Sequence, residues 1–224
     1  MCSSDLGHEP EYGTKYAIEH MEKMLTWDKG SRLGNVDIRG LELEVHEFDY
    51  KAVNQEIYNE NGVIIRTIPA IHALDGSVSF RLDWNGRSFV FGGDSYPNKW
   101  FIKHAKGADL AVHECFFTPE TLEKLLGAPP AQAIYITSYI HTPPSAFGKI
   151  MSAVKPLHAI GYHFWMIHDV LPEVTQLVRT TYDGPLTIAP DMTVWTVTDE
   201  QVVVREAITD PNTMPTGTTL AYRR

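Results

Sequence analysis

The sequence has few of the features that membrane and secreted proteins need. No stretch of it approaches the ~20 uninterrupted apolar residues of a transmembrane helix. Residues 1–13 have neither the basic segment nor the apolar core of a signal peptide. The two cysteines, Cys2 and Cys115, are too few for a disulfide framework and are typical of a reducing compartment. We therefore expect a cytoplasmic protein with no membrane partner.

Positive charge is also scarce. The chain has 19 Lys and Arg against 28 Asp and Glu, which gives a net charge of −9. A broadly acidic surface disfavours binding to a long polyanion such as tRNA, because that binding depends on neutralising phosphates. The composition therefore disfavours long polyanions as partners, and exposed sheet edges would allow a homodimer.

The apolar pattern predicts one layered α/β (α+β) domain, with neither repeats nor a dividing linker. Residues 41–50 alternate apolar and polar side chains like a half-exposed strand. A hairpin turn is expected at Asn85-Gly86, and strands alternate with helices further along the chain. We expect the domain to extend over residues 1–208, and the Pro- and Gly-rich residues 209–224 to form a flexible tail.

Capping signals mark two of the helices in the second half of the chain. Thr118-Pro119 predicts the start of one helix, and Gly127 predicts its end. For the other, Thr142 is the expected cap and Pro143 the first helical residue. Both helices lie between apolar strands, which is the order typical of an α/β domain.

The segment "SFVFGGDSYPN" places a single carboxylate directly after an apolar strand. Charge at the end of a buried strand is costly unless it is paired. Asp94 therefore either caps the helix that follows, since aspartate is a favoured cap, or binds a metal ion. The residues of this segment alone leave both readings open.

Several other titratable residues occupy comparable positions at the ends of apolar strands. They are His72, the pair His113-Glu114 and His163, while His141 lies between two predicted helices. Open α/β sheets gather ligands at the edge where such strands end, and imidazoles with carboxylates suit Zn, Mn or Fe(II). The alternatives are hydrogen-bonded histidines of ordinary structural type and a Glu114 that pairs with a lysine.

Four segments, taken in order, resemble a known family. They are "IPAIH", "FVFGGDSYPN", "GADLAVHECFF" and "HTPPSAFGKIMSAVKPLHAIGYHFW". Together they are similar to the ribonuclease Z-like branch of the metallo-β-lactamase-fold hydrolases. They are more loosely similar to a bacterial subset that includes guanitoxin-biosynthesis hydrolases.

The resemblance implies an αββα sandwich and a site with two metal ions, Zn or else Mn or Fe. In that family the residues matching His72, Asp94 and His163 are metal ligands, and the aspartate bridges the two ions. The residue matching His141 is catalytic, and Glu114 would fix its tautomer. The implied activity is hydrolysis of a small phosphodiester or ester by metal-activated water.

One family element has no counterpart in this sequence. The upstream His-x-His-x-Asp-His motif, which supplies ligands to both metals, is not found before His72. We therefore expect the chain to be the C-terminal two-thirds of a larger enzyme, truncated at its N-terminus. The alternatives are a degenerate, non-catalytic binding domain and a lactonase-type ester hydrolase. The interval between His72 and Asp94 has no basic, Gly-rich arm, which again makes tRNA an unexpected substrate.

Overall fold

The structure is a computed structural model and describes residues 13–163 and 170–207. The chain divides into two compact units after Ile188. The single domain expected over residues 1–208 stays a prediction, and the tail expected at 209–224 lies outside the described residues. In the part of the chain that is described, no helix is long and apolar enough to cross a membrane.

A seven-stranded sheet organises the first unit, with its strands side by side in sequence order. The strands are β1 Gln55–Glu60, β2 Val63–Pro69, β3 Val78–Trp84, β4 Arg87–Phe91, β5 Leu110–Glu114, β6 His158–Tyr162 and β7 Leu186–Ile188. Pairs from β1 to β4 are antiparallel, and pairs from β4 to β7 are parallel. The antiparallel pairs need only short turns, whereas each parallel pair needs a helical crossover.

The helices that follow β4, β5 and β6 provide those crossovers. The helices are α1 Thr14–Met24, α2 Thr26–Arg32, α3 Lys99–His104, α4 Pro119–Leu126, α5 Pro130–Tyr135, α6 Pro144–Val154 and α7 Leu171–Arg179. A 3-10 turn covers Ile38–Leu41, and a π-helix covers Ile136–Ile140. The core lies where Phe101 of α3 and Phe147 of α6 pack with Val90 and Ala111 of the sheet. The predicted mixed α/β architecture is confirmed.

Local turn chemistry explains several boundaries that the sequence predicted. Asn85 and Gly86 both have positive φ, 48° and 73°, as the turn between β3 and β4 requires. The hydroxyl of Thr118 accepts a hydrogen bond from the Thr121 N–H, and Gly127 ends α4 at φ 64°. The predicted hairpin and the predicted ends of α4 are confirmed.

The strand predicted over residues 41–50 is wrong. This segment follows the 3-10 turn without regular structure, and the side chain of Leu43 is 52% exposed. Alternating polarity forms a strand only where a partner strand is available. Here β1, which the pattern did not predict, occupies the edge next to β2 instead.

The second unit contains an antiparallel pair of strands, β8 Thr193–Val197 and β9 Val202–Glu206. Its turn is organised by the Thr198 hydroxyl, which accepts hydrogen bonds from the N–H groups of Glu200 and Gln201.

Candidate metal and active site

Strand direction brings the predicted site residues to one edge of the sheet. Strands β4, β5 and β6 are parallel, and β2 runs in the same direction because both β2 and β4 are antiparallel to β3. The residues that follow or end these strands are His72, Asp94, Glu114 and His163. Carboxyl ends of strands with one direction meet at one edge, where open α/β sheets bind their ligands.

Two glycines deliver Asp94 to this edge. The Gly92 N–H donates to the carbonyl of Val112 at 2.8 Å, which continues the pairing of β4 with β5 past the end of the strand. A β-carbon on Gly92 would lie 2.9 Å from the His113 ring, so no larger residue fits there without a shift. Gly93 adopts φ 64°, a conformation that favours glycine, and turns the chain.

Asp94 does not cap the helix that follows. That position belongs to Asn98, whose side-chain oxygen accepts a hydrogen bond of 2.8 Å from the Phe101 N–H. The capping alternative for Asp94 is therefore wrong. Its Oδ1 lies 2.9 Å from His163 Nδ1, and its Oδ2 lies 4.0 Å from His72 Nε2.

The electrostatics of these three side chains differ. The hydrogen bond from His163 lowers the pKa of Asp94, although partial burial acts against it. Burial acts to lower the pKa of His163, but the hydrogen bond with Asp94 and its charge outweigh burial and raise it. Burial, followed by the nearby His141, lowers the pKa of His72, which favours the neutral imidazole.

Glu114 and His141 form a second, tighter pair. Glu114 is fully buried, and its Oε2 lies 2.8 Å from His141 Nδ1. The Ser95 N–H donates to Oε1, so both carboxylate oxygens have partners. The His141 ring stacks on Phe116 with 4.4 Å between centroids. A buried carboxylate needs such pairing, and it finds it in a histidine rather than in the lysine considered from sequence.

Thr142 has a different role from the one predicted. Helix α6 begins at Pro144 with Pro143 in the cap position, so the prediction of Thr142 as the cap is wrong by one residue. The buried Thr142 hydroxyl instead donates to the carbonyl of Ser95 at 2.6 Å. This bond ties the residue after His141 to the residue after Asp94.

His113 does not join the other candidates. Successive strand residues point to opposite faces, so His113 and Glu114 cannot both face the site. The His113 ring is fully buried with its edge against Phe101, 4.7 Å between centroids, and its Nδ1 lies 2.9 Å from the Glu114 carbonyl oxygen.

His163 sits on an unusual backbone conformation. Its φ is 75°, in the left-handed region that residues with a β-carbon rarely adopt. Such conformations cost on the order of 1–3 kcal/mol and cluster at functional sites. The residue types around position 163 do not predict this left-handed conformation. The glycine that could have signalled it, Gly161, lies two residues earlier and inside β6.

The five predicted residues form two overlapping clusters of metal-ligating atoms. One contains His72, Asp94 and His141, and the other contains Glu114, His141 and His163. Within each cluster, one ligand atom from every residue lies within 4.8 Å of the others. The buried His72 Nε2 has no hydrogen-bond partner, so it is available to a metal ion. Nitrogen and carboxylate donors of this kind fit Zn and related transition metals.

The structure thus places every predicted metal ligand and catalytic residue in one neighbourhood. Sequence reasoning missed that His141 contributes to both clusters, and it missed the bonds made by Ser95 and Asn98. The side chain that caps α3 was detectable, because an Asn three residues before a buried helical position is a common cap. The Ser95 bonds had no sequence signal.

Comparison with known proteins gives one match in sequence. A ribonuclease Z from Mycobacterium marinum is 30% identical over 104 residues, which are 45% of this chain and 36% of that protein. The chain thus spans about a third of the length of the curated relative that it matches. No protein-family model matches the sequence.

Solved structures with similar folds were also found. The metallo-β-lactamase-fold protein YhfI from Bacillus subtilis is 19% identical with a TM-score of 0.47, covering 67% of this chain and 57% of that one. Human tRNase Z, short form, is 16% identical with a TM-score of 0.41, covering 61% and 42%. The sequence match confirms that this chain is similar to the ribonuclease Z-like branch of the metallo-β-lactamase-fold hydrolases.

Proposed function

We propose that the protein is a metal-dependent hydrolase that acts on a small phosphodiester or ester. The observation that carries the proposal is the buried Glu114–His141 pair, 2.8 Å between Oε2 and Nδ1, next to the Asp94–His163 pair. A fully buried carboxylate that orients a histidine beside a cluster of ligating atoms is typical of a catalytic site.

His72, Asp94 and His163 would hold the metal, with Asp94 between the two histidines as the shared ligand. Two Zn ions are our proposal, with Mn or Fe as alternatives. When bound, such ions lower the pKa of a water molecule to about 7 and so supply a nucleophile at neutral pH. The donor set supports this assignment because the buried His72 Nε2 has no other partner.

His141 would act as the general acid. Its Nδ1 is held by Glu114, which fixes the ring orientation and leaves Nε2 outside that bond. The ring is only 12% exposed and is stacked on Phe116, so it has little freedom to turn away. From this position the doubly protonated His141 ring would deliver its Nε2 proton to the oxygen of the leaving group and keep its Nδ1 proton in the hydrogen bond to Glu114.

The substrate we propose is small. The chain between His72 and Asp94 is the β3–β4 hairpin, which has no basic arm to hold a long polyanion, and the net charge is −9. tRNA is therefore not the substrate we propose, although the matched relative is a ribonuclease Z. We also place the protein in the cytoplasm, because the buried Cys115 is a free thiol and the sequence holds only one other cysteine.

A non-catalytic binding domain is the second candidate, and the ligand count favours it. With Asp94 shared, His72 and His163 give two protein ligands to each of two ions. Structural and catalytic Zn sites generally have three or four. A chain with this set alone would bind metal weakly, and a domain of this type could keep the fold without turnover.

The test combines metal analysis with turnover. Purified chain is dialysed against Zn or Mn, its metal content is measured, and hydrolysis of bis(p-nitrophenyl) phosphate is followed. We expect Asp94→Asn to lose bound metal, and His141→Ala to keep metal but lose about 10²–10⁴ in rate. His46→Ala is the matched control, because its side chain is 75% exposed and lies outside both clusters.

Each other outcome selects a different conclusion. Metal retained equally by Asp94→Asn would refute the ligand assignment. Metal bound without turnover would favour the binding domain. Hydrolysis of a lactone panel without hydrolysis of the phosphodiester would favour the lactonase-type reading, because only the leaving-group chemistry differs.

A further inference from the structure

A cavity of about 350 Å³ opens beside His72, which is one of its lining residues. Its buried floor includes Pro69 and Gly76, from the two ends of the loop that carries His72. This volume lies within the range of about 300–1,000 Å³ that is usual for small-molecule sites. It is too large to be explained by a single water molecule or a metal ion.

The lining of the cavity includes aromatic and aliphatic side chains. Tyr50 and Trp100 contribute rings, and Ile71 and Leu74 contribute aliphatic side chains. Leu74 is 75% exposed and Ile71 is 41% exposed, which is unusual for two large apolar residues in one short loop. Exposed apolar side chains around a concave surface mark a binding site more often than an isolated exposed leucine does.

The charged groups at this cavity are balanced. Lys51 and Asp75 both line it, and they carry opposite charges. The Lys51 ammonium lies 5.2 Å from the centroid of the Tyr50 ring, so it already has a cation–π partner on the protein. The Lys99 ammonium likewise lies 5.2 Å from the centroid of the Trp100 ring. One cation and one anion in the lining give the cavity no net attraction to a charged group, and an uncharged planar group can still pair with the exposed parts of its rings.

We infer that this cavity binds an uncharged, planar aromatic group. That group would be one substituent of the ester that is hydrolysed at the neighbouring cluster of ligating atoms, to which His72 belongs. His72 belongs both to the cavity and to the first cluster of ligating atoms, so a molecule could occupy the two at once. As a description of the substrate, the inference rests on the proposed function; as a binding site, it can be tested without any turnover.

The binding test uses protein without metal. The full chain is depleted of metal with EDTA and titrated with benzyl alcohol, and with cyclohexylmethanol as the saturated counterpart, by NMR. We expect the aromatic probe to shift the Trp100 indole resonance and to bind at least about threefold tighter, which is the ratio that aromatic pairing supplies. Equal affinity for the two probes, or no binding of either, would overturn the inference.

Variants locate the binding. Leu74→Asn, at an exposed position where the fold is not at risk, should weaken the aromatic probe by about threefold or more, since it removes an apolar wall. The matched control is Leu157→Asn, because Leu157 is 49% exposed and precedes β6 at the opposite edge of the sheet. An equal effect of both variants would refute the location.

A second arm separates this inference from the proposed function. Asp94→Asn should bind the aromatic probe as the unmodified protein does, because Asp94 does not line the cavity. If hydrolysis is observed, Leu74→Asn should raise KM for an aryl phosphodiester and leave kcat within about twofold. If no hydrolysis is observed while the aromatic probe still binds selectively, the proposed function fails and the cavity assignment stands.

Discussion

The hydrogen-bond geometry around Glu114 predicts a specific effect of the Glu114→Gln substitution. In the structure both carboxylate oxygens accept hydrogen bonds, one from the Ser95 N–H and the other at 2.8 Å from His141 Nδ1. Glutamine has the same shape but offers only one acceptor oxygen, and its NH₂ group is a donor. One of the two partners must therefore face a donor.

The partner that cannot change its proton determines which of the two faces the glutamine NH₂ group. The Ser95 N–H belongs to the backbone and cannot change, so the glutamine oxygen should face it. The NH₂ group then faces His141 Nδ1, which can accept only if its proton moves to Nε2. If the tautomer switches, the free energy of unfolding should fall by about 1 kcal/mol, the net value of one hydrogen bond. If it does not switch, two buried donors face each other at a cost of roughly 1–3 kcal/mol.

Nitrogen NMR of histidine-labelled protein distinguishes the two tautomers, and urea unfolding measures the stability. We expect the unmodified chain to carry its His141 proton on Nδ1, and Glu114→Gln to carry it on Nε2. Glu56→Gln is the control, since that carboxylate lies in an exposed pair with Arg66. An unchanged tautomer together with unchanged stability would refute the assignment of Glu114 as the group that orients His141.

Two further predictions concern stability. Gly92→Ala should lower the free energy of unfolding by about 1–3 kcal/mol, because its β-carbon would clash with the His113 ring. Gly30→Ala should raise the free energy of unfolding by about 0.5–1 kcal/mol, because Gly30 lies in α2 with open space around it. Urea titrations measure both changes, and equal effects of the two variants would contradict this prediction. Burial acts to raise the pKa of Asp109, but hydrogen bonds from Ser88, together with the hydrogen bond and charge of Arg87, outweigh burial and lower it. The stabilising effect of the carboxylate is therefore present above the unfolded pKa of about 3.9 and is lost as pH falls through the lower folded value. The unfolding free energy of Asp109→Asn should therefore fall less steeply between about pH 5 and 3 than that of the unmodified chain, and parallel pH curves would contradict it.

Sequence patterns predicted the parts of the fold that short-range chemistry determines. Asn85-Gly86 specifies its own turn, and Thr118 with Gly127 encloses α4, because these conformations depend on the residues themselves. The segment 41–50 was mispredicted because a strand depends on a partner that may be far away in sequence. β1 was missed for the same reason, since its polar, exposed residues form a strand only because β2 lies beside them.

The site shows the same division between residue type and connection. Histidines and carboxylates at strand ends could be identified from sequence, because strand direction brings such ends together. Their pairing could not: Glu114 was as compatible with a lysine as with His141, and Asp94 with a cap as with a ligand. Only the three-dimensional structure shows that Asn98 caps α3 and that Asp94 pairs with His163 instead.

Ser95 makes the connections that the sequence does not reveal. Its N–H binds Glu114, its carbonyl accepts the Thr142 hydroxyl, and its Oγ accepts from the Ile71 N–H at 3.3 Å. Each of these residues is itself a site residue or is adjacent in sequence to one, and Ser95 directly follows Asp94. One buried serine therefore links the chain segments that carry all of the candidate residues except His163.

That connectivity bears on how the aspartate in "SFVFGGDSYPN" is held. The two glycines let the chain turn and approach His113, and Ser95 then anchors it, so the backbone that carries Asp94 is fixed by its neighbours. A carboxylate positioned in this way does not need both of its oxygens to hold its place. Its Oδ1 lies 2.9 Å from His163 Nδ1, and its Oδ2 lies 4.0 Å from His72 Nε2, which has no hydrogen-bond partner, and the proposed metal assignment rests on this arrangement.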